Sequence, residues 1–349
     1  MNKTVLASLN SGLLSALQQD ERVYLLGEDI LDPYGGAFKV TRGCSTAYPE
    51  RVFTTPISEA GLAGLSAGMA LRGLRPVLEI MFGDFVTLTA DQLVNHVSKF
   101  RWMYNNTVNL PMVIRTPMGG RRGYGPTHSQ TLEKMFMGVP GLTLFAPVNL
   151  VAQTFRQEPG DLLESIILHT DDPVLFIENK LQYLLHVHSP EDLPDLDVRV
   201  EVESAGGEIK IPTYVLNIKG APPPQVTLTA YGYMAELARQ AQTKLAYEDE
   251  IFTELVIPTR LVPFETGAIN RSVDQTCRLV TVEESSLTLG WGAEVIARVQ
   301  ESLSGRGLAA RRVAARDLPV PAAPTLENEV LPQLEDILLG VRKVLENDR

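Results

Sequence analysis

The fold of this chain is decided by residues 55 to 80, which read TPISEAGLAGLSAGMALRGLRPVLEI. A proline-containing turn leads into small and apolar residues from 59 to 72, which predict a helix. A short apolar run from Arg75 to Ile80 follows and predicts a buried strand. One carboxylate, Glu59, therefore stands where the turn meets the helix.

The same alternation extends outward through the first half of the chain. Further strands are predicted at 23–26, 110–114, 142–146 and 173–177, and further helices at 89–104 and 149–158. In the helix at 89–104 the apolar positions step by three or four residues and are predicted to share one face, namely Leu93, Val97, Phe100 and Tyr104. Alternating strands and helices predict an α/β fold with a mostly parallel sheet.

The alternation breaks between residues 186 and 224. Polar, proline-containing sequence at 189–195 and three consecutive prolines at 222–224 indicate a linker, with room for a hairpin. A second α/β unit follows, with strands predicted at 226–230, 254–257 and 278–282 and helices at 234–246, 292–303 and 330–346. We therefore divide the chain into domains at 1–185 and 225–349, joined by the linker 186–224.

Composition excludes several classes of protein. Of the 349 residues 44% are hydrophobic and 21% are charged, which is not a disordered composition. The formal net charge of −11 argues against a nucleic-acid partner. The N-terminus lacks the apolar core of a signal peptide, and no run of about 18 apolar residues predicts a membrane span, so we expect a cytoplasmic protein.

Glu59 has two interpretations. It is either a first-turn acid that complements the helix dipole, or a buried functional carboxylate. The helix after it contains Gly61, Gly64 and Gly68. Because a glycine in a helix costs about 1 kcal/mol relative to alanine, the three glycines suggest close packing, such as a subunit interface.

Two further stretches carry candidate chemistry. Residues 79–85 follow a predicted strand, and Met81 and Phe85 there either flank a flat ligand ring or pack in the core. Residues 115–130 contain four glycines and two prolines and are either a functional loop or a flexible surface loop. Within this loop His128 can exchange a proton near pH 7, and Arg121 and Arg122 can attract an anionic substrate.

Several common motifs do not occur. The sequence has no GxSxG elbow, no P-loop and no Rossmann glycine fingerprint. The two cysteines, Cys44 and Cys277, lie far apart, and no histidine has a partner at metal-ligand spacing. We therefore predict no metal site made by this chain's side chains.

Taken in order, these stretches resemble the beta subunits of the first, decarboxylating component of 2-oxo acid dehydrogenase complexes, of the pyruvate and branched-chain type. This family belongs to the transketolase-like superfamily, and the resemblance covers nearly the whole chain. It is carried by the segments GED at 27–29, YGGAFKVT at 34–41, RVFTTP at 51–56, SEAG at 58–61, DQ at 91–92, HSQ at 128–130, PGL at 140–142, VTL at 226–228, YG at 231–232, VEE at 282–284 and DLPVP at 317–321.

The resemblance implies a fold, a cofactor and roles for individual residues. The first domain resembles the pyrimidine-binding domain of transketolase, and the second resembles its C-terminal domain. The cofactor is thiamine diphosphate, and the glutamate that matches Glu59 hydrogen-bonds N1′ of its aminopyrimidine ring. Ile57, Met81 and Phe85 match residues that lie against that ring, and His128 matches a histidine that faces the reacting centre.

The resemblance also implies partners. This chain lacks the metal-binding stretch that opens with Gly-Asp-Gly and ends in asparagines, which in this family lies on the alpha subunit. The diphosphate and its magnesium ion are therefore expected mainly on an alpha-type partner, in a heterotetramer of two alpha and two beta chains. A lipoyl acyltransferase core is a further expected partner, and a structural potassium ion is expected near residues 167–172.

The expected reaction is oxidative decarboxylation of a 2-oxo acid with acyl transfer to lipoamide. Met81 and Phe85 resemble the pyruvate type more than the branched-chain type, whereas Leu88 and the loop at 121–126 depart from the common pattern. Two alternatives stay open. The chain could be half of a split transketolase-like thiamine enzyme, or a non-catalytic assembly subunit.

Overall fold

Strands and helices alternate along most of the chain, so the predicted α/β class is confirmed. The computed structural model describes residues 3–205, 207–303 and 305–346. Within them the strands are β1 Val23–Gly27, β2 Val52–Thr54, β3 Arg75–Glu79, β4 Val113–Met118, β5 Thr143–Phe145, β6 Val174–Asn179, β7 Leu196–Ala205, β8 Ile209–Ile218, β9 Val226–Ala230, β10 Thr253–Pro258, β11 Arg260–Val262, β12 Arg278–Ser286 and β13 Ala309–Ala315.

The α-helices within the same residues are α1 Val5–Gln19, α2 Cys44–Ala47, α3 Glu59–Leu71, α4 Phe100–Met103, α5 Pro159–His169, α6 Gly232–Asp249, α7 Gly267–Thr276, α8 Trp291–Ser302, α9 Pro324–Val330 and α10 Leu334–Glu346. Short 3-10 helices occur at Gly83–Thr89, Glu133–Met135, Gln182–Leu184 and Pro190–Asp192, and a π-helix at Gln92–Val97. In the part of the chain described, no helix is long and apolar enough to cross a membrane.

Among the described residues the first sheet has seven strands in the order β11-β5-β6-β4-β3-β1-β2, and only the β11 pairing is antiparallel. Successive residues of its strands point to opposite faces. Leu26 and Leu78 lie in a core with α3, whereas Leu25 and Val77 lie in another with α1 and α5. Helices therefore cover both faces, and the ligand-binding positions are left at the carboxyl ends of the strands.

The second sheet, as far as the structure describes it, has six strands in the order β13-β12-β9-β10-β8-β7. The hairpin expected within 186–224 is present as β7 and β8, but it is not part of a free linker. Strand β8 pairs antiparallel with β10, so the hairpin completes one edge of the second sheet. The predicted linker therefore supplies two strands, while its ends at 186–195 and 219–225 stay irregular apart from one 3-10 turn.

The two halves of the chain share structure. Strand β11 leaves the second half and pairs with β5 of the first sheet. One hydrophobic core also contains Leu62 and Ala63 of α3 together with Trp291 and Val295 of α8. Because of this shared packing, the second half can hold groups of the first in fixed positions.

The helix predicted at 149–158 was wrong. Residues 149–158 are irregular, and the helix begins instead at Pro159. Proline suits the first position of a helix because its missing N–H would have no partner there. The carboxylate of Asp161 accepts the backbone N–H of Glu158 at 2.8 Å and closes the start of α5.

The single helices predicted at 89–104 and 330–346 were also wrong. The first is broken into the π-helix Gln92–Val97 and the short α4, so Leu93 and Val97 lie in the core while Tyr104 is half exposed. A π turn inserts an extra residue, so the apolar positions no longer share one face. The second is split because Pro332 cannot continue α9, and α10 begins at Leu334.

Candidate active site

The candidate active site lies at the carboxyl ends of the strands of the first sheet. Glu28 directly follows β1, Glu79 ends β3, and Glu178 lies near the end of β6. The loops after β3 and β4 carry residues 81–85 and 119–130. The topology therefore brings together at one edge stretches that are far apart in sequence.

Glu59 lies in the first turn of α3 and is 7% exposed, beside a second buried carboxyl, Glu28. Burial raises the pKa of Glu28, the charge of Glu59 raises it further, and a hydrogen bond from the Ser58 backbone lowers it. No cation of the described residues is among the groups that shift this pKa. Oε1 of Glu28 is buried and accepts no hydrogen bond from the described residues. Two neighbouring carboxyls of this kind favour retention of a proton.

The residues predicted to line a ring lie on the two sides of Glu59 in sequence. Ile57, in the turn before α3, is 83% exposed, which leaves its apolar side chain open to a ligand or a partner chain. Met81 and Phe85 are half-buried after β3. Their contact with a cofactor ring stays a prediction.

An aromatic cluster holds His128. The ring centre of Phe82 lies 4.8 Å from that of the imidazole, and the ring centre of Phe85 lies 5.2 Å from it, both edge-on. Phe82 also contacts Tyr124, with ring centres 5.9 Å apart. The hydroxyl of Thr127 lies 3.0 Å from Nδ1 of His128. Since Nδ1 is engaged, Nε2 is the nitrogen that can meet a substrate.

Beneath the site a buried arginine joins two carboxylates. The guanidinium of Arg115 donates to Glu178 through Nε at 2.8 Å and Nη2 at 2.6 Å, and through Nη1 to Glu79. The hydroxyl of Tyr183 donates to Glu178 at 2.5 Å. Burial lowers the pKa of Arg115, but the charges of Glu178 and Glu79 outweigh it and raise the pKa, so the guanidinium stays charged.

The glycine-rich loop is anchored by carboxylates of the second half rather than left flexible. The backbone N–H of Gly120 donates to Glu284 at 2.6 Å. The N–H groups of Arg121 and Gly123 donate to Glu327 at 2.7 and 3.2 Å. These donors are therefore used inside the protein and do not form a phosphate site.

The two arginines of the loop differ. The side chain of Arg121 donates to the carbonyl of Pro332 and lies over the ring of Tyr233. Arg122 is exposed, with its guanidinium 5.8 Å from the ring centre of Tyr124. Arg121 is therefore engaged inside the protein, and the attraction of an anionic substrate by the exposed Arg122 stays a prediction.

A buried ammonium supports the loop from below. Nζ of Lys180 donates to the carbonyl of His128 at 2.5 Å and lies 5.2 Å from the ring centre of Phe82. Burial lowers the pKa of Lys180 to about 8, while the charges of Asp84 and Glu284 oppose that change. His128 is therefore fixed through its ring and through its backbone.

A second group of buried acids lies between the two halves. Oε1 of Glu133 accepts the hydroxyl of Tyr231 at 2.7 Å, and Glu283 accepts the backbone N–H of Gly292 at 2.9 Å. Burial raises the pKa of Glu283 to about 8, and the charge of Glu133 adds to the increase. The hydrogen bond from Gly292 and the charge of Arg312 oppose the increase without cancelling it. Glu283 therefore tends to keep its proton at neutral pH.

Sequence reasoning missed five residues that shape this site: Glu28, Phe82, Lys180, Glu284 and Glu327. For Glu28 a signal existed, since an acid directly after a buried strand lies at the ligand edge of the sheet. The partners of Glu327 are more than two hundred residues away in sequence, and no local pattern reveals them.

No metal site emerges from the side chains that the structure describes, since no group of three or more His, Cys, Asp or Glu residues there could hold an ion. In the segment where potassium is expected, the carbonyls of Ile167 and Thr170 accept hydrogen bonds from the buried Arg75 at 2.9 and 2.8 Å. Each carbonyl oxygen has a second lone pair. Potassium there stays a prediction.

Comparison with known families matches both halves of the chain. Residues 3–184 match the family model described as the transketolase pyrimidine binding domain. Residues 217–337 match the model described as the transketolase C-terminal domain. The two matches leave 185–216 uncovered, the region that holds β7 and most of β8.

Similar curated proteins share one description. The chain is 35% identical over 342 residues to pyruvate dehydrogenase E1 component subunit beta-1, mitochondrial, of Arabidopsis thaliana, covering 97% of this chain and 88% of the relative. It is 35% identical to the Drosophila melanogaster subunit, covering 98% and 89%, and 33% identical to the Saccharomyces cerevisiae subunit, covering 98% and 88%.

A solved structure described as a split gene transketolase, inactive beta4 tetramer, has a similar fold. It covers 98% of each chain with a TM-score of 0.72 and 20% identity. At that identity the likeness supports the fold alone.

Proposed function

The chain belongs to the family of pyruvate dehydrogenase E1 beta subunits, built from transketolase-type domains, and from that premise we propose that it activates thiamine diphosphate through Glu59. It is a beta subunit of a thiamine-diphosphate-dependent 2-oxo acid dehydrogenase, an oxidoreductase. The pair of buried acids Glu28 and Glu59, with no balancing cation at Glu28 among the described residues, is the observation that carries the proposal.

The acid pair and its surroundings fit the pyrimidine end of the cofactor. A ring nitrogen that shares a proton requires a carboxyl partner in a place poor in water. The carboxyl of Glu59, which is 7% exposed, meets this requirement. The exposed side chain of Ile57 and the half-buried Met81 and Phe85 offer apolar surface for a flat ring. When bound, the cofactor supplies the electron sink for decarboxylation.

This chain's residues then have separate tasks. Glu59 would hydrogen-bond the N1′ position of the ring and so take part in the proton transfer that activates the bound cofactor. His128, with Nδ1 engaged, presents Nε2 for proton exchange with the substrate or with lipoamide. Phe82 and Phe85 pack edge-on against the imidazole and exclude water from it.

The rest of the cofactor site is proposed to come from an alpha-type subunit. The sequence lacks the stretch that binds magnesium and diphosphate, and Ile57 and the open space around Gly68 on α3 offer surface for a close partner. We propose a heterotetramer of two alpha and two beta chains, with a lipoyl acyltransferase core as acyl acceptor. The cytoplasm is the proposed compartment, although the relatives above are named mitochondrial.

Pyruvate is the proposed substrate. Phe82, Phe85 and Tyr124 crowd the space beside His128, which favours a 2-oxo acid with a short side chain. The acceptor of the resulting acyl group is proposed to be lipoamide.

The experiment compares decarboxylation by the wild type and by Glu59→Gln. Both are assembled with the co-purified alpha-type partner, thiamine diphosphate and magnesium, and a dye-linked assay compares pyruvate with branched-chain 2-oxo acids. Because proton transfer by a positioned group contributes about 10²- to 10⁴-fold, we expect a loss of that size in Glu59→Gln. Glu50→Gln, which changes an exposed glutamate, is the control and should retain activity.

Other results would point to the alternatives. Cofactor binding without turnover of any 2-oxo acid would favour a split transketolase-like enzyme. Full turnover in Glu59→Gln, or no cofactor binding by the assembled chains, would overturn the role of Glu59 and favour an assembly subunit.

The proposed potassium ion at 167–172 has a test of its own. If it binds there, the Tm of the protein should be higher in potassium chloride than in sodium chloride.

A further inference from the structure

Glu327 is a buried carboxylate whose oxygens are both occupied by the glycine-rich loop. It lies on α9, in the second half of the chain, and is 2% exposed. Oε1 accepts the N–H of Arg121 at 2.7 Å and Oε2 accepts the N–H of Gly123 at 3.2 Å. Hydrogen bonds to an ionised carboxylate are stronger than neutral ones, so this contact fixes the backbone at two points.

The loop is shaped to accept this carboxylate. Gly120 lies so close to it that an added Cβ would stand 3.1 Å from Oε1 of Glu327 and 2.6 Å from a methyl group of Leu331. Gly123 has a positive φ of 68°, and Arg121 has one of 65°, which is uncommon outside glycine. The glycine pattern of the sequence therefore serves a contact with the second half of the chain.

The anchored segment leads directly to His128. This histidine follows Gly123 by only five positions, and its N–H donates to the carbonyl of Gly125 at 3.3 Å. At its far end the loop is held by Lys180 through the His128 carbonyl. The imidazole thus stands on a short backbone span that is fixed at both ends, and the first fixed end belongs to Glu327.

We propose that Glu327 is a positioning residue for His128. Helix α9 of the second half then contributes a residue that holds the active-site loop in place. This inference rests on the proposed function, because it takes His128 as the proton-exchanging group. It assigns the second half a role in turnover in addition to assembly.

The first test measures the loop itself and needs no activity. Trypsin cleaves after Arg121 and Arg122, and the anchored loop should resist it in the full-length chain. In Glu327→Ala we expect cleavage there to accelerate about tenfold or more, since local opening no longer breaks two charge-assisted hydrogen bonds. Glu329→Ala is the matched control, because Glu329 lies on the same helix, has a side chain that is 68% exposed and pairs only loosely with Arg316 at 3.4 Å.

The second test measures turnover by the assembled enzyme. We expect kcat of Glu327→Ala to fall roughly 10- to 100-fold, as for a misplaced catalytic group, while cofactor affinity and KM change much less. Glu327→Gln keeps one acceptor oxygen and should recover part of the loss. In a His128→Asn background, adding Glu327→Ala should cost less than about twofold, because the two residues act as one unit.

The outcomes separate the inference from the proposed function. If the wild type turns over no 2-oxo acid, the proposed function fails and the contact of Glu327 with the loop is judged on cleavage alone. Accelerated cleavage of Glu327→Ala then supports the contact, and unchanged cleavage overturns it.

If the wild type is active, accelerated cleavage of Glu327→Ala with a normal kcat overturns the positioning role. Equal losses in the His128 and His128→Asn backgrounds overturn it as well. If circular dichroism shows that Glu327→Ala is unfolded, both tests are made with Glu327→Gln instead. Unchanged kcat and unchanged cleavage in that variant overturn the positioning role.

Discussion

The carboxyl edge of the first sheet holds two pairs of buried acids that differ in one respect. Glu79 and Glu178 share the guanidinium of Arg115, which binds Glu178 through two nitrogens. Glu28 and Glu59 lie at the same edge without a comparable cation among the described residues, and the charge of Glu59 disfavours that of Glu28. Burial raises the pKa of Glu79 as well, but there the charge of Arg115 and its hydrogen bond oppose the increase. At Glu28 no cation among the described residues does so, and the charge of Glu59 adds to the effect of burial.

The difference separates a structural use of buried acids from a chemical one. The ion pairs of Arg115 with Glu79 and Glu178 connect strand β4 to β3 and β6. Removing the arginine or the carboxylates would leave a buried charge without its partner, so these contacts stabilise the arrangement of the three strands. An unbalanced pair costs stability but keeps a group ready to exchange a proton. Arg115→Met and Glu28→Gln test this contrast directly, because they should change the free energy of unfolding in opposite directions. Glu283→Gln extends the comparison to another buried acid without a paired cation, between the two halves of the chain.

The largest effect is expected for Arg115→Met. It leaves Glu79 and Glu178 buried without their cation, which should lower the free energy of unfolding by about 3–5 kcal/mol. Urea unfolding of the full chain at pH 7 measures it. Arg101→Met is the matched control, because Arg101 pairs with Asp172 at 2.7 Å on a more exposed surface and should cost at most about 1 kcal/mol. Equal losses in the two variants would remove the basis for calling the Arg115 network structural.

A smaller effect of opposite sign is expected for Glu283→Gln. The pKa of Glu283 is raised from 4.5 to about 8, so the wild type loses stability as the pH rises from about 4.5 through 8. The variant has no charge to bury. A shift of this size sets an upper limit of about 5 kcal/mol, and because water and local relaxation reduce the cost of the buried charge, we expect the variant to be more stable than the wild type by roughly 2 kcal/mol at pH 9. The two should converge below pH 4.5. Glu294→Gln, at an exposed helix position, should show no such pH-dependent difference.

The smallest effect is expected for Glu28→Gln. The pKa of Glu28 is also raised, so its ionisation destabilises the fold above the ordinary glutamate pKa of 4.5. Removing the charge should raise the free energy of unfolding at pH 7 by less than about 1 kcal/mol, in contrast to Arg115→Met. Thermal unfolding at pH 4 and pH 7 measures the change, and a loss of stability at pH 7 would contradict the contrast between the two acid pairs.

Sequence patterns predicted much of the fold because many of its signals are local. The helix that begins at Glu59 and the strand that begins at Arg75 follow from turn residues and apolar runs within about twenty positions. The helix predicted at 149–158 was misplaced because apolar residues there pack as irregular chain, and Pro159 is the first residue of α5. Local patterns therefore located most elements but not every boundary.

The candidate site was predicted only where its residues carry a signal of their own. Glu59 stands at a helix start and His128 in a loop rich in glycine, so both were selected. Lys180, Glu284 and Glu327 lie in or beside ordinary strand and helix sequence, and their importance comes from contacts between residues 52 to more than 200 positions apart. Such contacts depend on how the two halves pack, which no local pattern encodes.

Strand β11 also has a consequence for how the chain is made. It is synthesised more than a hundred residues after β5, the strand it pairs with. At a translation rate of about 5–20 residues per second, the growing polypeptide exposes the unpaired edge of β5 for roughly 5–20 s. Leu144 and Phe145, buried in the finished protein, lie at that edge. The nascent chain therefore exposes an aggregation-prone strand edge until the second half emerges from the ribosome. During this period a chaperone could bind the exposed β5.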